Sequence, residues 1–462
     1  MSHAAEQLLS ICTPGSGQEY YSGIASDVPG VRAANEAFGS LASDQALLTP
    51  STALEHPLTT SIEPETAYRG SLDFRSFSLA TDGIPGAASV TVKGGDLPLV
   101  HHLPGDTPVP TVSRALSGQI PGGALLPAAR HEAAMAEQIQ DIAWQQLGRL
   151  TFTILPVRVN TITAVQNEAG QQVPLLDYLN SADYLTPPDW LMREFNLPGM
   201  ALGDILLRHL QVQPAEYIYA TPGLNIRVGD LVGARYFRAY DSPSERASHN
   251  VDDLLADDSL AYMQEGLPVW GDLIPRAPGR KDAVFRRIYS LLADTYNFDA
   301  NDVLPSVPIT DANYLSELQR IPERCAQHGV AELVLHGVVQ RMTEVMALLH
   351  AQERGFSRHD GVGSSLMARN VTYNGVVLDL DTAGEFARTP EEHIDQDYGE
   401  ALLTVASLRR IVAPQPRGDI TGYMRQLYLR KLDQFGASTN WRRRVVNVLD
   451  TSQYIARVDA LL

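Results

Sequence analysis

The residues best suited to chemistry are Asn370 and Asp379, which flank an Asn-Gly pair in the segment RNVTYNGVVLDLDTA. An Asn-Gly pair between β-branched residues is typical of a two-residue hairpin, because a type I′ turn needs positive φ at both central positions. With Asn374 and Gly375 as that turn, Asn370 pairs directly with Asp379, and their Cβ atoms are expected about 5 Å apart on one face. An amide oxygen and a carboxylate at that distance can bind Mg²⁺, which keeps waters and phosphate oxygens as its other ligands. Asp381 is predicted to face the same side as a further ligand.

The same segment is also compatible with an ordinary exposed hairpin that ends in polar residues. Its context favours a site, because the hairpin stands among predicted helices. It follows a helix predicted over residues 335–349, where apolar residues recur at spacings of three and four.

Lys93 is the second candidate, at the end of the predicted strand SVTVK and before Gly94. A glycine there would let the backbone approach a ligand closely. In phosphoryl-transfer sites a strand-borne lysine binds phosphate oxygens and pairs with a glutamate of the adjacent helix. Glu132, early in the helix predicted to start near Pro127, is the expected partner, and Glu137 is the second choice. A solvated charge at a strand end is the alternative.

Arg227 and Arg235 lie in LNIRVGDLVGARYF, a strand-like segment interrupted by Gly turns. Two guanidinium groups on such a backbone could neutralise a triphosphate, because arginine binds phosphate through parallel hydrogen bonds. Surface cations are the alternative for this pair.

The elements that must position these residues are strands in the first half of the chain and helices in the second. Strands over 75–80 and 88–93 are predicted to form a hairpin, a helix is predicted from Pro127 to Leu147, and TFTILPVRVNTITAV follows as strand. Beyond about residue 245 helices dominate. The order predicts an α+β fold with a small β-rich N-lobe and a mostly helical C-lobe. The expected divisions are an N-terminal arm (1–60), an N-lobe with the nucleotide-binding strands and helix (61–240) and a helical C-lobe with the metal-binding hairpin (241–462).

Composition narrows the class of partner. The 54 acidic and 36 basic side chains give a formal net charge of −18, which disfavours binding to nucleic acid or to an anionic membrane. Cys12 and Cys325 are the two cysteines, so neither a disulfide framework nor a zinc site is expected. The sequence shows no secretory signal and no apolar run of the roughly 20 residues that span a bilayer. A cytoplasmic protein is the expectation.

Taken in order, these segments resemble the selenoprotein O family, pseudokinase-like proteins that transfer AMP from ATP to protein hydroxyls. That family has a strand ending in Lys-Gly, a Leu followed six residues later by Glu, and an Arg-Val strand after Pro-Gly with a second Arg. Its metal-binding Asn is followed at +5 by Gly and at +9 by Asp. This sequence carries these features in VTVKGG, at Leu126 and Glu132, in PGLNIRVGDLVGAR, and at Asn370, Gly375 and Asp379.

The resemblance implies a bilobal protein-kinase-like fold. It implies an ATP- and Mg²⁺-dependent nucleotidyltransferase that moves AMP to a hydroxyl of a protein, peptide or metabolite. The implied roles are nucleotide binding by Lys93, Gly94, Gly122, Arg227 and Arg235, orientation of Lys93 by Glu132, and metal binding by Asn370 and Asp379. Asp381 and Asp360 are alternative candidates for the catalytic base.

The sequence also departs from the family pattern. Arg369 stands where the family has the acidic residue proposed as the base, and Gly363-Ser364 replaces its His-Gly pair. Two alternatives therefore stay open: a kinase-like phosphotransferase of a tailoring pathway, and an inactive pseudokinase scaffold that binds nucleotide or a partner. An unrelated structural protein with an accidental hairpin is a third.

Overall fold

A computed structural model gives the structure of the chain. The residues that it describes are 9–12, 18–20, 68–69, 76–80, 87, 89–93, 100–103, 107–110, 124–166, 172–181, 197–201, 203–209, 211, 213–223, 227–228, 281–308, 310, 313–357, 364–368, 370–386, 389–412, 419–460 and 462. The chain divides into two compact units. A strand-bearing unit contains residues 1–134 and 156–220, and a helical unit contains residues 135–155 and 221–462.

The strand-bearing unit is built on an antiparallel sheet. Its described strands are β1 (Leu9–Cys12), β2 (Gln18–Tyr20), β3 (Tyr68–Arg69), β4 (Ser76–Ala80), β5 (Ser89–Lys93), β8 (Ala124–Leu125), β9 (Leu155–Gln166), β10 (Gln172–Pro174) and β11 (Pro214–Thr221). The order along the sheet is β1-β9-β11-β5-β4-β3, with β2 and β10 also on β9 and β8 on β11. A separate hairpin joins β6 (Val100–Leu103) to β7 (Thr107–Pro110). The described residues among the first 60 thus form two strands of this sheet, β1 and β2.

The hairpin of β4 and β5 confirms the predicted strand pair. The two strands pair antiparallel from Ser76 opposite Lys93 to Ala80 opposite Ser89. Side chains two apart share a face of a strand, so Lys93 lies on the same face as Ser89 and Thr91, which are fully buried.

Helix α1 (Leu126–Leu147) matches the predicted helix within one residue at its start. Pro127 fits there, because the first turn of a helix has no need of the backbone N–H that proline lacks. The shorter helix α2 (Leu175–Ser181) and a π-helical turn (Asp204–His209) complete the described helical turns of the strand-bearing unit.

The helical unit contains the remaining helices that the structure describes. They are α3 (Lys281–Tyr296), α4 (Tyr314–Gln327), α5 (Val330–Ala351), α6 (Pro390–Val412), α7 (Ile420–Gln434), α8 (Thr439–Thr451) and α9 (Gln453–Asp459). Helix α5 packs against α4, α6 and α7, and the predicted apolar stripe between Leu335 and Leu349 is buried along its whole length. The prediction of this core helix is confirmed.

Between α5 and α6 the chain is mostly irregular. It carries a two-stranded ribbon of β12 (Arg354–Gly355) and β13 (Gly384–Glu385) and a 3₁₀ turn over Leu380–Thr382. The described part of this segment is nonetheless largely buried. Buried irregular backbone must find hydrogen-bond partners outside regular structure, and those partners organise the candidate site.

The fold is therefore α+β, with an antiparallel sheet and mostly helical content, as predicted at that level. Among the described residues, no helix is both long enough and apolar enough to cross a membrane.

Candidate functional site

The first predicted contact lies in the strand-bearing unit. Lys93 Nζ donates to Glu132 Oε2 at 2.7 Å, and the two side chains are 13% and 1% exposed. The sequence separates them by 39 residues, and the strand-lysine and helix-glutamate pattern predicted this partner. The contact is confirmed, although its role in binding phosphate stays a prediction.

The predicted hairpin in the helical unit has a different register from the one expected. Val371 pairs with Val377 rather than with Leu378. Thr372 N donates to Val376 O at 2.9 Å, and Gly375 N donates to Thr372 O at 2.9 Å. The loop therefore has three residues, 373–375, and the prediction of a two-residue turn is wrong.

The reason is that one turn residue, not two, adopts the left-handed conformation. Gly375 has φ of +81°, whereas the φ of Asn374 is not positive. A turn followed by one left-handed glycine is the usual three-residue hairpin loop. Asn374 is buried, accepts from the Thr372 hydroxyl, and lies so close to Gly223 that a Cβ there would be 2.1 Å from its Nδ2. These packing contacts fix the loop.

The shift changes how Asn370 and Asp379 meet. Leu378 N donates to Asn370 O at 2.7 Å, so Asn370 lies opposite Leu378, the neighbour of Asp379. Asp379 itself leaves the extended conformation, with φ of 57° and ψ of 58°. Asp381, two residues later, lies in the 3₁₀ turn, where the alternation of side chains along a strand does not apply. The prediction that Asn370 pairs directly with Asp379 is therefore wrong. The backbone of Asn370 nonetheless pairs with the residue next to Asp379.

Arg227 is brought to the same ribbon. It forms a backbone bridge with Thr372, and Val228 N donates to Val371 O at 2.8 Å. On the other side of the hairpin, Val377 N donates to Phe152 O at 3.0 Å. Three predicted site residues, Arg227, Asn370 and Asp379, therefore belong to one backbone cluster. Gly94, Gly122, Arg235, Asp360 and Arg369 lie outside the described residues.

Hydroxyl groups fix the backbone around Asp379. Ser365 Oγ donates to Asp379 O at 2.8 Å and lies 2.7 Å from Thr382 Oγ1. Thr382 Oγ1 is 2.6 Å from Phe356 O, which also accepts from Ser365 N. The turn that carries Asp379 is thus bonded to the strand that leaves α5.

Asp397 of α6 holds that same strand from the other side. Its Oδ2 accepts from Phe356 N at 2.7 Å and lies 3.0 Å from His350 Nε2, and its Oδ1 accepts from Ser364 Oγ at 2.7 Å. The carboxylate is fully buried. A Cβ on Gly355 would come within 2.9 Å of it, which explains why glycine occupies that position. One buried carboxylate therefore binds both Phe356 and Ser364.

The tautomer of His350 follows from its partners. His350 Nδ1 lies 2.5 Å from Tyr428 Oη, and both residues are fully buried. Burial raises the pKa of Tyr428 well above its ordinary value, and Asp397 and Tyr398 raise it further, so the phenol keeps its proton and donates it to Nδ1. Nδ1 is then the acceptor, and Nε2–H is the donor to Asp397. We assign this tautomer from the hydrogen-bond network.

One face of α6 performs this anchoring, and no motif considered in the sequence pointed to it. Buried polar residues recur there at alternating spacings of four and three, a pattern visible in the sequence and made by His393, Asp397, Glu400 and Thr404. His393 Nδ1 is 2.8 Å from Ser357 Oγ, and Thr404 Oγ1 donates to Leu366 O at 2.7 Å. Buried polar groups are costly unless they are bonded, and this face supplies partners for the irregular segment.

Arg341 of α5 binds a carbonyl of the hairpin loop. Its Nη1 donates to Asn374 O at 2.8 Å and to Tyr296 Oη at 3.2 Å. The guanidinium carbon lies 4.3 Å from the ring centre of Phe152 and 4.8 Å from that of Tyr296. Arginine between two aromatic faces is held in place, so the loop carbonyl is bound to a rigid group.

Among the described residues no group of three or more His, Cys, Asp or Glu side chains gathers as a metal site. The predicted set is smaller, one amide and one carboxylate. Mg²⁺ is often held by one or two carboxylates together with substrate phosphates and waters, so this donor set fits that ion when nucleotide is present.

No family model, curated protein or solved structure matches the chain. The family resemblance therefore stays a prediction from the quoted motifs.

Proposed function

We propose that the chain is an ATP- and Mg²⁺-dependent transferase on a bilobal protein-kinase-like fold, and that it moves AMP from ATP to a hydroxyl of a protein, peptide or metabolite. The observation that carries the proposal is the contact between Lys93 and Glu132. A lysine at the end of a strand, paired at 2.7 Å with a nearly inaccessible glutamate on a helix, is the arrangement that aims an ammonium group at phosphate oxygens.

The second support is the cluster that contains Arg227, Asn370 and Asp379. The left-handed Asp379 is consistent with a site, because uncommon backbone conformations at non-glycine residues concentrate where function requires them. In the proposal Asn370 and Asp379 hold Mg²⁺ and Arg227 neutralises phosphate charge. Phosphate-group transfer depends mainly on such positioning and charge neutralisation.

The proposed reaction is a substitution at the α-phosphorus. The acceptor hydroxyl oxygen forms a bond to that phosphorus, the bond to the bridging oxygen of the β-phosphate breaks, and pyrophosphate leaves. The hydroxyl proton passes to a base, for which Asp381 is the candidate within the described residues. A cytoplasmic location, where ATP is abundant, is part of the proposal.

Labelled ATP tests the chemistry. With Mg²⁺ and a mixture of candidate acceptors, including the protein itself, label from α-³²P-ATP should reach the acceptor, whereas label from γ-³²P-ATP should not. Transfer of the γ label would instead show that the protein transfers phosphate, which is the alternative that the sequence left open.

Nucleotide binding tests the site. Lys93→Met should weaken the binding of Mg²⁺ and ATP at least tenfold, and it should also destabilise the fold because Glu132 stays buried without its cation. The double variant with Glu132→Gln should recover stability without recovering binding. Lys281→Met, which removes the same charge at the start of α3, is the matched control. Unchanged ATP binding in Lys93→Met would refute the phosphate role.

The inactive scaffold is favoured by one observation, Arg369 in place of the acidic residue of the family pattern. A thermal-shift titration separates it from the enzyme. A metal-dependent rise in melting temperature with ATP, without turnover, supports the scaffold, and the absence of any response contradicts both.

A further inference from the structure

We propose that Ser365 is a positioning residue that sets the backbone of Asp379, and through it the metal affinity of the site. The inference rests on the proposed function, because it assigns Asp379 to the metal. It adds a residue that no motif in the sequence indicated.

The starting point is the conformation of Asp379. It is one of four described non-glycine residues with positive φ, together with Gln211, Asn297 and Glu353. The left-handed region is less favourable than extended backbone for a residue with a Cβ, although aspartate tolerates it better than most. A conformation of this kind persists when the surrounding structure holds it in place.

Ser365 supplies the contact to the carbonyl of Asp379 itself. Its Oγ donates to Asp379 O at 2.8 Å, and the serine is fully buried. The N–H of the preceding residue is held separately, because Leu378 N donates to Asn370 O at 2.7 Å. Hydrogen bonds therefore hold the backbone at Leu378 and at Asp379. The first is to the carbonyl of Asn370, the other predicted metal ligand, and the second is from the hydroxyl of Ser365.

Ser365 is in turn fixed by rigid neighbours. Its N–H donates to Phe356 O at 3.2 Å, and Phe356 N donates to the buried Asp397 carboxylate at 2.7 Å. Its Oγ also lies 2.7 Å from Thr382 Oγ1, in the turn that follows Asp379. A continuous chain of hydrogen bonds thus runs from helix α6 to the carbonyl of Asp379.

The consequence is a predicted loss of metal affinity when the hydroxyl is removed. Groups that orient metal ligands typically change metal affinity by about 10- to 100-fold when they are mutated. Ser365→Ala should therefore weaken metal binding by roughly tenfold or more. A purely structural serine would lower stability and leave metal affinity unchanged.

The test uses the full chain with ATP and Mn²⁺, a paramagnetic substitute for Mg²⁺ that is titrated by water-proton relaxation. Ser365→Ala should bind Mn²⁺ roughly tenfold more weakly or worse. Ser407→Ala removes an equally buried serine hydroxyl, one that donates to Leu403 O within α6 at 2.8 Å, and it should bind Mn²⁺ as the wild type does. Equal Mn²⁺ affinity for Ser365→Ala and Ser407→Ala would overturn the proposal.

A second pair of variants separates a loss of metal binding from a loss of folding. Thr382 is half-buried, so Thr382→Val, which loses the hydroxyl, and Thr382→Ser, which keeps it, should both fold. Weakened Mn²⁺ binding is expected for the valine variant and normal binding for the serine variant. Equal binding by both would count against the hydroxyl network.

Asp379→Asn distinguishes this inference from the proposed function. If it binds Mn²⁺ and ATP as the wild type does, the metal assignment fails and the inference fails with it. If it loses the metal while Ser365→Ala keeps it, the proposed site stands and only the positioning role falls. The carbonyl ¹³C shift of Asp379 provides a readout without metal, because loss of the Ser365 hydrogen bond should move it.

Discussion

Asp397→Asn is expected to destabilise the helical unit more than any comparable change on the same helix. The carboxylate is fully buried and takes part in three hydrogen bonds, with His350 Nε2, Phe356 N and Ser364 Oγ. Asparagine has nearly the same shape, but it carries no charge and presents an NH₂ group where Asp397 has a second acceptor oxygen.

The magnitude follows from those three bonds. A hydrogen bond to a charged group contributes about 1.5–3 kcal/mol, against about 0.5–1.5 kcal/mol for a neutral one. The substitution weakens each bond by about 1 kcal/mol, so the free energy of unfolding should fall by about 3 kcal/mol. Asp395→Asn is the matched control on α6. Its carboxylate is half-buried and bonded to one hydroxyl, that of Ser452, and burial raises its pKa. Because the folded state already disfavours this charge, the expected loss is less than about 1 kcal/mol.

Urea unfolding followed by far-UV circular dichroism at neutral pH measures both values. Hydrogen exchange of the Phe356 amide gives a local readout, because its bond to Asp397 should protect it in the wild type and less so in Asp397→Asn. The reasoning is refuted if Asp397→Asn costs no more than Asp395→Asn, or if the Phe356 amide exchanges at the same rate in both proteins.

Two further predictions concern the same unit. Arg341→Met removes the donor to the hairpin loop and the cation between two aromatic rings, so urea unfolding should show a loss of about 2 kcal/mol. Arg425→Met, which breaks an exposed pair, should cost less than 1 kcal/mol, and equal losses would contradict the role of Arg341. The hydrogen bond from Arg324, with the charges of Arg324 and Arg320, lowers the pKa of Glu317. Its ionised form therefore stabilises the fold above the ordinary value of about 4.3, and that contribution is lost as the pH falls through the lower folded pKa. Glu317→Gln should flatten the acid side of the stability profile, and an unchanged profile would count against the ion pair.

Local patterns predicted a large part of the fold. The apolar stripe between Leu335 and Leu349 predicted the buried helix α5, since a 3.6-residue period fixes which side chains share a face. The alternation around β4 and β5 predicted their hairpin, and with it the placement of Lys93. The pairing with Glu132 was predicted by analogy with phosphoryl-transfer sites, in which a strand lysine pairs with a glutamate of the adjacent helix.

The candidate site was predicted less completely. Asn370, Arg227 and Asp379 were expected near one another, and the structure gathers their backbone. The register was wrong by one residue, because a sequence pattern cannot weigh the buried side chain of Asn374 against a type I′ turn. The hydroxyl of Ser365 gave no local signal of its role, and the polar spacing on α6 did not show which groups Asp397 binds, since the partners of these two residues lie 14 and 41 residues away along the chain.

By itself, the sequence determined the periodic elements. A pattern of strand lysine and helix glutamate also indicated the ion pair of Lys93 with Glu132. The tertiary structure alone decided the conformation of the irregular segment between α5 and α6. There each buried N–H and C=O group must find a partner wherever packing provides one. Which hydroxyl, carboxylate or ring nitrogen meets which backbone group depends on the final arrangement of α5, α6 and α7, and no spacing along the chain encodes it.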